Sequence, residues 1–153
     1  MNECRERCDD CATRIATLGP VGTAPVAPGT WASLLAALVW FLILSRFTPK
    51  WFWRMFIPAT ALAIGVAGRA EKRLGKDASE IVIDEVVGQW LSLALAPRSL
   101  KSMIWGFLLF RLFDIWKPTP IRSAETLNGG CGVVADDLLA GLFARVALKL
   151  FVR

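Results

Sequence analysis

Five predominantly apolar runs of about 15 to 19 residues, parted by Pro, Gly and basic clusters, limit what this chain can become. They cover residues 31–44, about 52–68, about 79–96, about 100–117 and about 133–151. None alternates apolar with polar, and each is too long for a buried strand, so all five read as helices. The expected fold class is all-α: a bundle of about five short, very hydrophobic helices in up-down order. Crossing a bilayer core of about 30 Å takes roughly 20 apolar residues, so the bundle is expected to be membrane-embedded or membrane-associated. The competing reading is a soluble bundle whose helices are apolar on every side.

Hydrophobic residues make up 55% of the 153 and charged residues still 20%, so charge must be segregated along the chain. His and Tyr are absent, which removes phosphohistidine chemistry, imidazole metal ligands and tyrosine nucleophiles. The net charge of +5 suits an anionic membrane surface better than nucleic acid, because no basic stripe is interleaved with base-stacking aromatics. Residues 1–16 read as a polar, cysteine-bearing tail, and residues 17–153 as a single helical domain. Cys4, Cys8 and Cys11 lie in the charged head and Cys131 in a Gly-rich turn. With no apolar leader ahead of them, free cytosolic thiols are expected rather than a disulfide framework.

Up-down order would bring the starts of helices one, three and five to the same face as the ends of two and four. That face collects Pro28-Gly29-Thr30, with Thr30 as the expected N-cap. It also collects a basic linker (Arg69, Lys72, Arg73, Lys76), Asp84-Glu85, Asp114, Lys117 and Asp136-Asp137. Outside the helices it carries nine Lys and Arg against seven on the other side, a weak inside bias that points this face to the cytoplasm.

A carboxylate in an apolar helix is costly unless paired or bound to a cation, and this chain has five: Asp84, Glu85, Asp114, Asp136 and Asp137. Both acidic pairs are followed one turn later by a small residue, Gly88 and Ala140-Gly141, where a neighbouring backbone can approach closely. Arg111, Asp114 and Lys117 recur every three residues on one helix face. Hard oxygen ligands without imidazole or thiolate suit Mg2+, so all five acids are candidate metal ligands. Arg111 and Lys117 would contact a substrate phosphate, joined by N–H donors of Gly29 and Thr30 at the start of helix one. That logic is phosphoryl transfer, with Asp84, Glu85, Asp114, Lys117, Asp136 and Asp137 as the catalytic set. A carboxylate would either align water or attack phosphorus. Two structural alternatives stand beside it: an internal network pairing Asp114 with Arg111 and Lys117 with one acidic pair, and a small cation transporter using intramembrane carboxylates.

Four segments, APGTWASL at residues 27–34, IDEVVGQW at 83–90, FRLFDIWKPTPI at 110–121 and GGCGVVADDLLAG at 129–141, resemble the phosphatidylglycerophosphatase A family in order and spacing. The resemblance implies an all-helical, Mg2+-dependent enzyme of the bacterial inner membrane. It would remove the terminal phosphate of phosphatidylglycerophosphate to give phosphatidylglycerol. It places the family's DE pair on Asp84 and Glu85, its R-x-x-D-x-x-K-P motif on Arg111, Asp114, Lys117 and Pro118, its DD pair on Asp136 and Asp137, and its PGT turn on Pro28, Gly29 and Thr30.

Other signals are weaker. The C-x3-C-x2-C spacing of Cys4, Cys8 and Cys11 is that of radical iron–sulfur enzymes, but the apolar helices downstream supply no barrel. Cys8 and Arg14 match the C-x5-R spacing of cysteine phosphatases, yet Asp9 and Asp10 would repel phosphate.

Overall fold

The computed structural model describes residues 2–76, 78–124 and 126–152, with side chains from Glu6 onward. The described residues form seven α-helices and no strand: α1 (Asn2–Ala16), α2 (Pro28–Leu42), α3 (Pro49–Leu74), α4 (Ile83–Ser92), α5 (Leu100–Trp116), α6 (Ile121–Ala124) and α7 (Gly130–Phe151). The five expected apolar helices are α2, α3, α4, α5 and α7.

Their order is up-down, as contacts at both ends show. At one end the start of α2 meets the start of α4, the end of α5 reaches the start of α7, and Gly68 near the end of α3 lies against Gly130. At the other, Trp105 stacks on Phe151 with ring centroids 4.5 Å apart, and Arg98 lies over Phe41. α4 is central, touching α2, α3, α5 and α7. Its ten residues leave no room for a polar outer face, and Val86, Val87, Gly88, Gln89 and Ser92 are all buried. Around it Trp40, Phe110, Leu93, Ile121 and Leu148 fill the core.

Several boundaries differ from the sequence reading. The head, expected as a tail, forms α1, which packs on α3 through Ala12 and Ala16. Cys8 and Cys11 are free and exposed there, whereas the side chain of Cys4 lies outside the described residues. The basic linker is helical as far as Leu74, because Lys72 and Arg73 suit the carbonyl end of a helix. α3 stops at Gly75, whose φ of 105° few other residues adopt. Thr30 is not the cap of α2: the helix begins two residues earlier with Pro28 in its first turn, behind Ala27 in the left-handed region. α7 starts at Gly130 rather than near 133, since the GGCG segment packs as helix against the backbone of Ile64 and Gly68.

The outer surface is apolar. Pro28–Arg46 and Pro49–Leu74 are long and apolar enough to cross a membrane, and most of each faces outward. Leu35, Leu38, Ile57, Leu62, Leu108, Leu112, Leu142 and Val146 are all exposed on α2, α3, α5 and α7. Exposed tryptophans gather at the two ends, Trp31 and Trp116 at one and Trp51 and Trp53 at the other. Between these levels, the 15 residues of α2 rise about 22 Å at 1.5 Å per residue.

Candidate active site

The acids meet because two helices touch backbone to backbone. At Gly88 of α4 a Cβ would lie 2.7 Å from the carbonyl oxygen of Asp137, and at Gly141 of α7 it would lie 2.3 Å from that of Gly88. Each glycine follows its acid by one turn, so this crossing sets Asp84 and Glu85 against Asp137. One oxygen from each of the three lies within 4.8 Å of the other two. Gly29 of α2 closes the third side, where a Cβ would be 1.9 Å from Glu85 Oε1.

The remaining acids are held by cations. Arg111 Nη1 is 2.6 Å from Asp114 Oδ2, one helical turn along α5, and 4.0 Å from Glu85 Oε1. Lys117 Nζ is 2.6 Å from Asp136 Oδ2. Lys117 ends α5 in the left-handed region at φ 44°, Pro118 after it disfavours a further helical turn, and its side chain reaches Asp136 of α7. The expected ion-pair network and the expected acidic cluster are therefore both present. Asp114 and Asp136 take the cations, while Asp84, Glu85 and Asp137 keep a surplus of negative charge. Of the five acids read as metal ligands, these three are the group whose oxygens converge.

Burial first, and then the charge of Glu85, pushes the Asp84 carboxyl well above the usual carboxylate range. Glu85 is raised as well, chiefly by burial. Glu85 Oε2, Asp137 Oδ2 and Asp136 Oδ1 are buried without a hydrogen-bond partner. Orphaned carboxylate oxygens in a recess cost free energy that a cation would recover.

The start of α2 differs from expectation. The Thr30 N–H donates to the carbonyl of Ala27 at 2.9 Å, so it is not a spare donor for an anion. Gly29 instead makes room for Glu85. Ser33, not singled out from sequence as a site residue, is fully buried: its hydroxyl donates to the Gly29 carbonyl at 2.7 Å and accepts from Arg111 Nη1 at 3.4 Å. Its place four residues after Gly29, on the same helix face, was the available signal. Beside the acids, a cleft of about 200 Å3 is lined by Asp84, Lys117 and Asp136 and, from the end of α3 and the segment after it, by Glu71 and Lys76.

Comparison with known proteins decides the family. The model of phosphatidylglycerophosphatase A matches residues 14–152. The chain belongs to the phosphatidylglycerophosphatase A family. Phosphatidylglycerophosphatase A of Escherichia coli is 36% identical over 130 residues, covering 80% of this chain and 73% of the relative. That of Haemophilus influenzae is also 36% identical, covering 80% and 77%. A Bacteroides thetaiotaomicron protein, provisionally named a phosphatidylinositol-3-phosphatase, is 38% identical, covering 84% and 86%. No solved structure matches. Membership makes this chain a phosphoric monoester hydrolase acting in phospholipid metabolism.

Proposed function

We propose that the protein removes the terminal phosphate of phosphatidylglycerophosphate, giving phosphatidylglycerol, in a Mg2+-dependent reaction at the cytoplasmic face of a bacterial inner membrane. The observation that carries this reading is the convergence of Asp84, Glu85 and Asp137 beside two held cations, at one end of an apolar bundle.

The donor set fits Mg2+: close carboxylates without imidazole or thiolate, two of them with buried oxygens that lack a partner. Bound there, Mg2+ would neutralise charge on the phosphoryl group and lower the pKa of a bound water. Arg111, held by Asp114 and Ser33, and Lys117, held by Asp136, are the cations for the phosphate oxygens. Their carboxylate partners fix each donor before substrate arrives, so little side-chain entropy remains to be lost.

Membrane placement rests on the exposed apolar faces, on two segments long and apolar enough to cross, and on exposed tryptophans at both ends of the bundle. Trp31 and Trp116 share the level of the acids, so the headgroup can reach them while the acyl chains stay in lipid. A cation transporter would want its acids near the midplane. Here Asp84 and Glu85 occupy the first turn of α4, level with the start of α2 and the end of α5.

The test is phosphate release from phosphatidylglycerophosphate, phosphatidylinositol 3-phosphate and phosphatidic acid in mixed micelles, with chelator and with Mg2+ restored. Phosphatidylglycerophosphate should be cleaved fastest, with release lost to chelator and regained with Mg2+. A preference for the inositol lipid would overturn the substrate, and chelator-resistant turnover the metal. A variant with Cys131 as its only cysteine, exposed at the start of α7, reports sidedness: an impermeant maleimide should label it in inverted vesicles and not in right-side-out ones.

A further inference from the structure

The cleft beside the acids has a second wall that the hydrolytic chemistry does not use. It is built from the end of α3 and the segment that follows, and it carries Glu71 and Lys76 facing the same space as Asp84 and Lys117. Among the described residues, no carboxylate lies within ion-pair distance of Lys76, whereas Arg111 and Lys117 are both held by acids. Among the described residues, this cleft thus has one lining cation, Lys76, outside any ion pair, beside the phosphate-handling groups.

A lipid whose terminal phosphate is cleaved, and whose headgroup holds a second phosphate in diester linkage, presents two anions joined by a short polyol. With the monoester between Lys117 and the acids, the diester has to lie elsewhere in the same cleft, where Lys76 is the other cation among the described lining residues. We infer that this cleft is the headgroup subsite, in which Lys76 binds the phosphodiester phosphate of a two-phosphate lipid and thereby selects it over lipids carrying a single phosphate. Glu71 repels phosphate and accepts hydroxyl groups, so it suits the polyol between the two anions. This inference rests on the proposed function and names what in the site would tell phosphatidylglycerophosphate from phosphatidic acid, whose only phosphate is the monoester itself.

The experiment compares wild type, Lys76→Ala, Lys76→Glu and Lys76→Arg on phosphatidylglycerophosphate and phosphatidic acid in the same micelles, reading the ratio of the two kcat/KM values. A lysine–phosphate contact is a charge-assisted bond, so the preference for the two-phosphate lipid should fall about tenfold in Lys76→Ala, chiefly through KM. It should fall further in Lys76→Glu and largely return in Lys76→Arg. A misfolded variant would lose both substrates together and leave the ratio unmoved. An unmoved ratio in an active, folded Lys76→Glu protein overturns the subsite alone. A wild type inert toward phosphatidylglycerophosphate overturns the proposed function and the subsite with it.

Discussion

Replacing Gly141 by alanine adds one methyl group at the point where α7 crosses α4, and that group would sit 2.3 Å from the carbonyl oxygen of Gly88. An ordinary contact needs more than 3.4 Å, so the two backbones must part by roughly 1 Å. The obstacle is main chain, and no rotamer change can relieve it. Overpacking of this kind costs about 1–3 kcal/mol, offset by about 1 kcal/mol because alanine favours a helix interior over glycine. Net destabilisation should therefore be about 0–2 kcal/mol, small enough for the protein to stay folded. Activity should suffer more. Asp137 is one turn from the crossing, and a 1 Å shift carries it away from Asp84 and Glu85. A misplacement of that size can cost about 100-fold. Phosphate release in micelles, measured beside thermal unfolding, separates the two effects. A folded Gly141→Ala protein retaining more than half of wild-type activity would refute the claim that this crossing sets the separation of the acids.

Asp137→Asn relieves the crowding of three converging carboxyl groups that have one cation, Arg111 at 4.0 Å from Glu85, near them. It should unfold at the same or a higher temperature without metal while losing activity about 100-fold or more. Wild type should gain about 2.7 kcal/mol at Mg2+ one hundred times its Kd, seen as a rise in Tm that Asp137→Asn lacks. In Gly29→Ala the new methyl displaces the Glu85 carboxylate, so turnover should drop with little change in Tm; equal turnover would show that Glu85 need not hold its place. Lys117→Met strips Asp136 of its partner and should cost about 1–3 kcal/mol in denaturant unfolding, partly regained on adding Asp136→Asn.

Much of this site is legible in the sequence because its determinants are local. The i, i+3 spacing on α5 predicts the Arg111–Asp114 pair, and the small residues one turn after each acidic pair predict the close crossing of α4 and α7. Which acids a cation takes is not local. The sorting of Asp136 to Lys117, with Asp137 left to face Asp84, depends on how α7 is rotated, and that rotation is fixed by Gly130 against Ile64 far along the chain. The helix at the head is masked in the sequence for a similar reason. Six charges among its first eleven residues hide the two alanines, Ala12 and Ala16, by which α1 docks on α3. The basic end of α3 looked like a linker because its charges face outward over buried Val66, Ala67 and Ala70.

The last residue of that first helix also bears on the acids. The carbonyl of Ala16 accepts the Val82 N–H at 2.9 Å, two residues ahead of Asp84. A pull on the front of the chain is thus delivered through one hydrogen bond to the turn that presents the DE pair, with no slack loop to absorb it. What looks like an appendage works as a strut, and shortening it should loosen the first turn of α4, which carries Asp84 and Glu85.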